Sequence, residues 1–427
     1  MRSARALVAA VIWLGMVGGW QAAAQEPQEE TAEDYSFDVE EFEKKPYEWG
    51  GFLELKGTQL VLDRDARLSG VGDPIDESGP LLHQASGLLD LNAKLRKDLV
   101  TAYGHLRGEA GAGQQGFSRD LHVFRLSLAV QPVPILNIEV GKTRLRWGKG
   151  YAFNPAAFVD RPKDPGDPEE ALEGFVLARA ELTKSFDGPL KTISLEVALL
   201  PVHEGVNEDF GRPGYENFAA RLSLLLFDAD IDLVALSGGS RTVRYGLGLA
   251  YNITSNLEVH AEAAWLPDVG VLRLVSGESP RAEERAALRV LGGARFLTPQ
   301  ETTFIVEYFY NGAGASPGQI GLFYQQLGIV EPAAIIDCFR VPFPMRHYLY
   351  ARVSQKEPFG VLDFYPAVIG IVNLEDGSFT LTPELLYKGI VNLELRLRGT
   401  VIVGRAETDF GERPNDARIE LRARYFF

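Results

Sequence analysis

Charged or polar residues recur at every second position in one strand-length segment after another, and leucine, valine, alanine or an aromatic residue stands between them. Val391, Leu393, Leu395 and Leu397 alternate with Asn392, Glu394, Arg396 and Arg398; Leu257, Val259, Ala261, Ala263 and Trp265 alternate with Glu258, His260 and Glu262. A period of two is the mark of β-strands with unlike faces. A face this apolar set against a face this charged suits a closed barrel with lipid outside and water inside. Basic side chains turned to lipid would cost about 2–4 kcal/mol each at the bilayer midplane, so the polar rows are expected to point inward.

The pattern predicts an all-β fold, a transmembrane antiparallel up-and-down barrel of about eighteen strands. They fall near 50–62, 85–95, 99–110, 119–131, 134–142, 173–184, 189–200, 216–227, 229–237, 242–252, 255–265, 286–297, 301–310, 346–356, 360–372, 377–387, 390–403 and 417–427. Sixteen strands result if a weak pair such as the one around 229–252 does not form. Connections after even-numbered strands are short, among them Lys97-Asp98, Pro132-Val133, Thr298-Pro299 and Lys388-Gly389, whereas most after odd-numbered strands are long. Strict alternation of short periplasmic turns with long external loops belongs to outer-membrane barrels.

The final segment is the most specific signal. Ile419, Leu421, Ala423, Tyr425 and Phe427 form one face, and Arg418, Glu420, Arg422 and Arg424 the other. The pattern resembles the C-terminal signal read by the outer-membrane assembly machinery, so Leu421, Ala423, Tyr425 and Phe427 are expected to serve assembly. At the other end, Arg2 and Arg5 precede a short apolar run and Ala22-Ala23-Ala24, the layout of a cleaved signal peptide over 1–24. Removing those two arginines takes the net charge from −15 to −17. Residues 25–48 are dense in Glu and Asp and read as an acidic periplasmic lead-in, with 49–427 as barrel. The single cysteine, Cys338, rules out an internal disulfide and reads as a loop residue.

Gly141 to Pro155 contains Arg144, Arg146, Trp147, Gly148, Lys149, Gly150, Tyr151, Phe153 and Asn154, and leads on to Phe158, Asp160, Arg161 and Lys163. The stretch resembles the Gly…Trp-Gly and Asn-Pro segment of several Gram-negative porin-like families, including alginate-export-type barrels. It falls in the third external connection, 146–172, whose four aromatic side chains need burial. Folded into the lumen, it would set a pore constriction with Arg144, Arg146, Lys149, Asp160, Arg161 and Lys163; packed over the rim, it would use the same residues.

The wall itself is expected to carry Glu258, His260, Glu262, Glu394, Arg396, Arg398, Arg422 and Arg424. Inward bases and acids nearly balance, which leaves ion selectivity open. Glu258, His260 and Glu262 stand about 6–7 Å apart along one strand, too far to share a metal unaided, so neither metal nor cofactor is expected. No nucleophile elbow, phosphate loop or paired-histidine helix is present, and an acidic envelope protein has no affinity for nucleic acid. The expected function is therefore a porin-like channel for transport of small hydrophilic solutes across the outer membrane, not an enzyme. The alternatives are a barrel that exports or holds a polysaccharide and, further off, an outer-membrane hydrolase. Expected partners are outer-membrane lipid and lipopolysaccharide, the barrel-assembly machinery, and the solute or polysaccharide.

Overall fold

The computed structural model describes residues 45–69, 79–113, 116–273, 281–326 and 343–427. The expected leader, most of the expected acidic lead-in and Cys338 lie outside the described residues. The alternating segments form β1 (Tyr47–Leu62), β2 (Leu81–Lys97), β3 (Val100–Gly113), β4 (Gly116–Val133), β5 (Leu136–Thr143), β6 (Phe175–Ser185), β7 (Leu190–Val202), β8 (Tyr215–Leu226) and β9 (Ala229–Leu236). They continue as β10 (Arg244–Thr254), β11 (Leu257–Arg273), β12 (Arg281–Leu297), β13 (Thr302–Asn311), β14 (His347–Gln355), β15 (Phe364–Asn373), β16 (Phe379–Ile390), β17 (Leu393–Val403) and β18 (Asn415–Phe426). Among the described residues eighteen strands form, including the weak pair β9 and β10. The helix α1 (Pro317–Gln326) lies in the connection between β13 and β14.

Each strand pairs antiparallel with its sequence neighbour, and β1 pairs with both β2 and β18, so the sheet closes on itself. Closure removes the exposed edges that an open sheet would present. The seam runs from Phe52 opposite Phe426 to Leu62 opposite Asn415, and beyond its end Phe427 and Gly51 exchange two backbone hydrogen bonds of 3.1 and 3.2 Å. Along this seam Leu55 is 62% and Leu421 57% exposed, while Glu54 and Glu420 are each 4%. The alternation read from sequence is therefore an outside of apolar side chains and an inside of charges.

Several boundaries differ from the sequence reading, each for a local reason. β1 starts at Tyr47, taking two residues from the expected lead-in, because Tyr47 and Glu48 pair with Leu95 and Lys94. β11 and β12 run on to Arg273 and from Arg281, since Pro267, which reads as a turn, sits in a register shift between Leu266 and Val269. β4 is interrupted by an extra residue, Phe124, opposite the step from His105 to Leu106. The turn expected at Lys388-Gly389 falls at Val391-Asn392, where Asn392 takes the left-handed conformation (φ 61°) suited to a tight hairpin. β15 begins at Phe364, not 360, because 356–363 fold into a compact turn with Glu357, Phe359 and Asp363 at positive φ.

Candidate functional site

β5 ends at Thr143 and β6 begins at Phe175, so the third long connection is 144–174. Its first turn is built on glycine. Gly148 has φ +128°, and a Cβ on Gly150 would stand 2.0 Å from the Phe153 carbonyl oxygen. The tight turn aims successive backbone N–H groups at the barrel wall, where two strand carboxylates receive them. Glu262 accepts from Lys149 (2.5 Å), Gly150 (2.9 Å) and Ala156 (2.9 Å). Glu307 accepts from Tyr151 (2.5 Å), Ala152 (2.9 Å) and Phe153 (3.3 Å), and its other partner is His260 at 2.8 Å. Buried N–H groups require such acceptors, and charged ones are the strongest.

The aromatic side chains of the loop find the burial they need. Trp147 is 1% exposed and donates its indole N–H to Glu196 at 2.6 Å. Phe158 joins Leu145, Trp147 and Val159 against inward Leu177, Leu200, Val234 and Leu266. Phe153 stacks on Phe309 at 4.7 Å, within an apolar cluster that includes Ile320 and Phe323 of α1, Tyr348 of β14 and Phe410 of the β17–β18 connection. The loop thus lies inside the barrel, and loop and helix fill much of the lumen beside β6 to β16.

Its second half crosses to the remaining wall. Asp167 reaches Arg398 (3.0 Å), Arg422 (3.2 Å) and Arg396 (3.7 Å). Burial pushes the Asp167 carboxyl up, but Arg398, Arg422 and Arg396 outweigh it and hold the group below the usual carboxylate range. Register explains the landing point, since Lys56, Arg422 and Arg396 stand opposite one another on β1, β18 and β17 and call for a counter-charge. Glu169 pairs with Arg352 at 2.6 Å, and Glu170 lies 4.0 Å from Arg107 on β3. Burial and the neighbouring Asp167 raise the Glu170 carboxyl, against Arg422, Arg107 and Lys56.

The space left open lies along β1 to β4 and β18. It holds a cavity of about 670 Å³ lined by Lys56, Gln84, Ser86, Glu109, Arg418 and Glu420, among others. Just below, His105 and Arg107 both bind Asp90, and Arg125 lies 3.6 Å over the ring of Tyr103.

The residues singled out for a constriction have these partners. Asp160 accepts the Trp147 N–H at 2.9 Å and the Arg146 N–H at 3.3 Å, with the Arg144 guanidinium 3.4 Å away; Arg146 itself is exposed. Lys149 goes to Asp230 and Asp232 at 2.6 and 2.8 Å. Arg161 pairs with Asp209 and Glu173, and Lys163 donates to the carbonyls of Gly150 (2.7 Å) and Tyr151 (3.1 Å). Only Arg144 and Asp160 pair with each other; Lys149, Arg161 and Lys163 fasten the loop to wall, neighbouring loop or itself.

On the wall, Glu258 accepts from the Tyr151 hydroxyl at 3.5 Å and stands 3.8 Å from one ring nitrogen of His260, whose other nitrogen lies 2.8 Å from Glu307, while Glu262 takes the loop amides. Arg424 binds Glu54 at 2.7 Å, and Arg396 approaches Glu394 at 3.4 Å. Arg396 and Arg398 face inward, as the alternation predicts, but are 8% and 2% exposed because Asp167 of the loop covers them. Leu421, Tyr425 and Phe427 face out, with Ala423 half-buried. Glu307, Glu169 and Glu170 were not singled out as site residues. The only sequence signal for the last two was their place in the same acidic stretch as Asp167.

Fold and lumen together define a porin-like β-barrel of the outer-membrane class, closed, apolar outside and narrowed by an inward loop. No family model and no curated protein matches the chain. Among solved structures the chain is similar to OccK5 (OpdH) of Pseudomonas aeruginosa, at TM-score 0.51 and 12% identity over 89% of this chain and 98% of that one. It is similar also to OccK7 (OpdD) of the same organism, at 0.51 and 13% over 90% and 99%. OccAB1 of Acinetobacter baumannii superposes at 0.55, with 8% identity over 90% and 97%. At these identities the likeness is one of fold.

Proposed function

We propose that the chain forms an outer-membrane channel passing small hydrophilic solutes, with the third connection setting its narrowest opening. The observation that carries this reading is the division of the interior. One side is packed by the loop and α1, and the other, along β1 to β4 and β18, keeps a polar, charge-lined space. An eighteen-stranded barrel is wide enough for an aqueous channel, and a loop across it leaves an off-centre passage. The eyelet is formed by Glu170 on the loop and by Arg107, Lys56 and Arg422 on the wall. Charges of both signs facing one another across a narrow gap sort solutes more strongly than the same charges on a wide wall, where ions screen them over about 8–10 Å.

In this reading the chain is a transporter and not an enzyme. Its apolar band meets outer-membrane lipid and lipopolysaccharide, and β18 is presented to the barrel-assembly machinery. The test is single-channel recording of the purified protein in planar bilayers. The parent is expected to show discrete conductance steps, and removal of 151–168 to raise them. A parent that shows no channel while binding a polysaccharide would replace this reading with export or attachment.

A further inference from the structure

Away from the open passage, on the side where the third loop is packed against the wall, three arginines gather with no acid among them. Arg289 on β12 stands opposite Ala264 on β11, which stands opposite Gly246 on β10. Gly246 faces inward, since a Cβ there would lie 3.0 Å from Ala156 and 3.3 Å from the ring of Phe158. Arg244, two residues earlier, shares that face. Strand spacing of about 4.8 Å and a same-face step of about 7 Å put the Cα atoms of Arg244 and Arg289 about 12 Å apart, so two extended side chains meet over the small residues between them.

Arg241, in the β9–β10 connection, closes the group. It donates to the carbonyls of Phe158 (3.1 Å) and Phe210 and lies 3.8 Å over the Phe210 ring. Arg289 is oriented by Nε donation to the Asn311 side-chain oxygen at 3.0 Å, and the buried Nε of Arg244 has no partner. Among the described residues no carboxylate comes within 4.0 Å of any of the three. Every other inward arginine cluster described above has its acid. Burial, with Arg161 and Arg289 nearby, pushes Arg241 down to about 10.

Neutral carbonyls satisfy donors but do not balance charge, and three guanidinium groups converging in a half-buried site require an anion. We infer that Arg241, Arg244 and Arg289 form a binding site for a small oxyanion of the phosphate or sulfate type, held where the third loop meets the β9–β10 connection. Guanidinium forks match such oxygens two at a time, and one tetrahedral ion can accept from all three. Arg244 and Arg289 lie on the inner face of the wall, away from lipid headgroups, so the ion is one drawn from solution. It does not depend on the transport reading.

The test is calorimetric titration of the full-length protein in neutral detergent with inorganic phosphate and with sulfate, against chloride at equal ionic strength. One saturable ion per chain is expected, with affinity at least tenfold weaker in Arg244→Gln and Arg289→Gln and unchanged in Arg96→Gln, an exposed arginine beside the turn between β2 and β3. If a glutamine variant fails to assemble, Arg244→Lys and Arg289→Lys keep the charge without the fork and should bind several-fold more weakly. Absence of saturable binding in the parent, or parent-like binding in both lysine or both glutamine variants, overturns the inference.

Discussion

Glu307→Gln tests the means by which the third loop is held inside the barrel. The carboxylate accepts three consecutive loop N–H groups, from Tyr151, Ala152 and Phe153, besides its contact with His260. A glutamine keeps one accepting oxygen, and its amide nitrogen then confronts at least one N–H with another donor. Hydrogen bonds to a charged group contribute about 1.5–3 kcal/mol each, so losing the charge and one acceptor weakens docking by about 3 kcal/mol. At about 1.4 kcal/mol per decade this raises the detached population roughly 150-fold. Hydrogen exchange at the amides of 151–153 should accelerate by that order, and single-channel records should gain open-channel noise, while heat-modifiable migration of the folded barrel stays as in the parent. Exchange within about threefold of the parent, with quiet channels, would refute the carboxylate as the loop's anchor.

Four further outcomes follow from the same contacts. Asp167 has a depressed carboxyl pKa in the folded state, so its contribution to docking is complete above the ordinary Asp value of 3.8 and disappears only as pH falls through the lower folded value; protection factors of the loop amides, corrected for the intrinsic pH dependence of exchange, should be flat from pH 7 to 5, and release near pH 5 would contradict this. Glu170 is shifted upward, so on acidification it takes its proton before Asp167. Cation preference measured by reversal potential should decline in that step, which Glu170→Gln should abolish. Gly51→Val should prevent assembly, because a Cβ at Gly51 meets the Asp90 carbonyl oxygen at 2.1 Å beside the β1–β18 seam; a normally heat-modifiable variant would disprove it. In a Cys338→Ser background, Leu395→Cys should resist a charged thiol reagent, and Arg396→Cys should react readily only once 151–168 are removed; a reactive Leu395→Cys would put the β17 register off by one.

The strand count and the sidedness of the wall were legible because both depend on a local repeat. Leu393 to Arg398 alternate visibly, and a register error of one residue would turn every charge to lipid. Irregularities that keep the composition of a strand were not legible: Phe124 reads as one more alternating residue, and Pro267 reads as a turn although a bulge spares its missing N–H. The inward course of the third loop could be argued from Trp147, Tyr151, Phe153 and Phe158, whose burial has to be found somewhere. Its attachments could not. Glu262 and Glu307 look in sequence like any other inward acids, and nothing local tells an acid that answers an arginine one strand away from one that catches N–H groups 113 or 156 residues earlier in the chain.

Those separations also fix an order of events. The loop follows β5, yet the groups that seat it arrive later in the chain: Glu196 after 49 residues, Glu262 after 113, Glu307 after 156 and Arg352 after 183. Arg398 and Arg422, which receive Asp167, belong to the last two strands. Until β17 and β18 are in place the loop has only part of its berth, and entropy favours leaving it undocked while long-range contacts are missing. The same two strands also complete the sheet, since β18 is the partner that closes it on β1, so closure of the barrel and the final seating of the loop fall in one step.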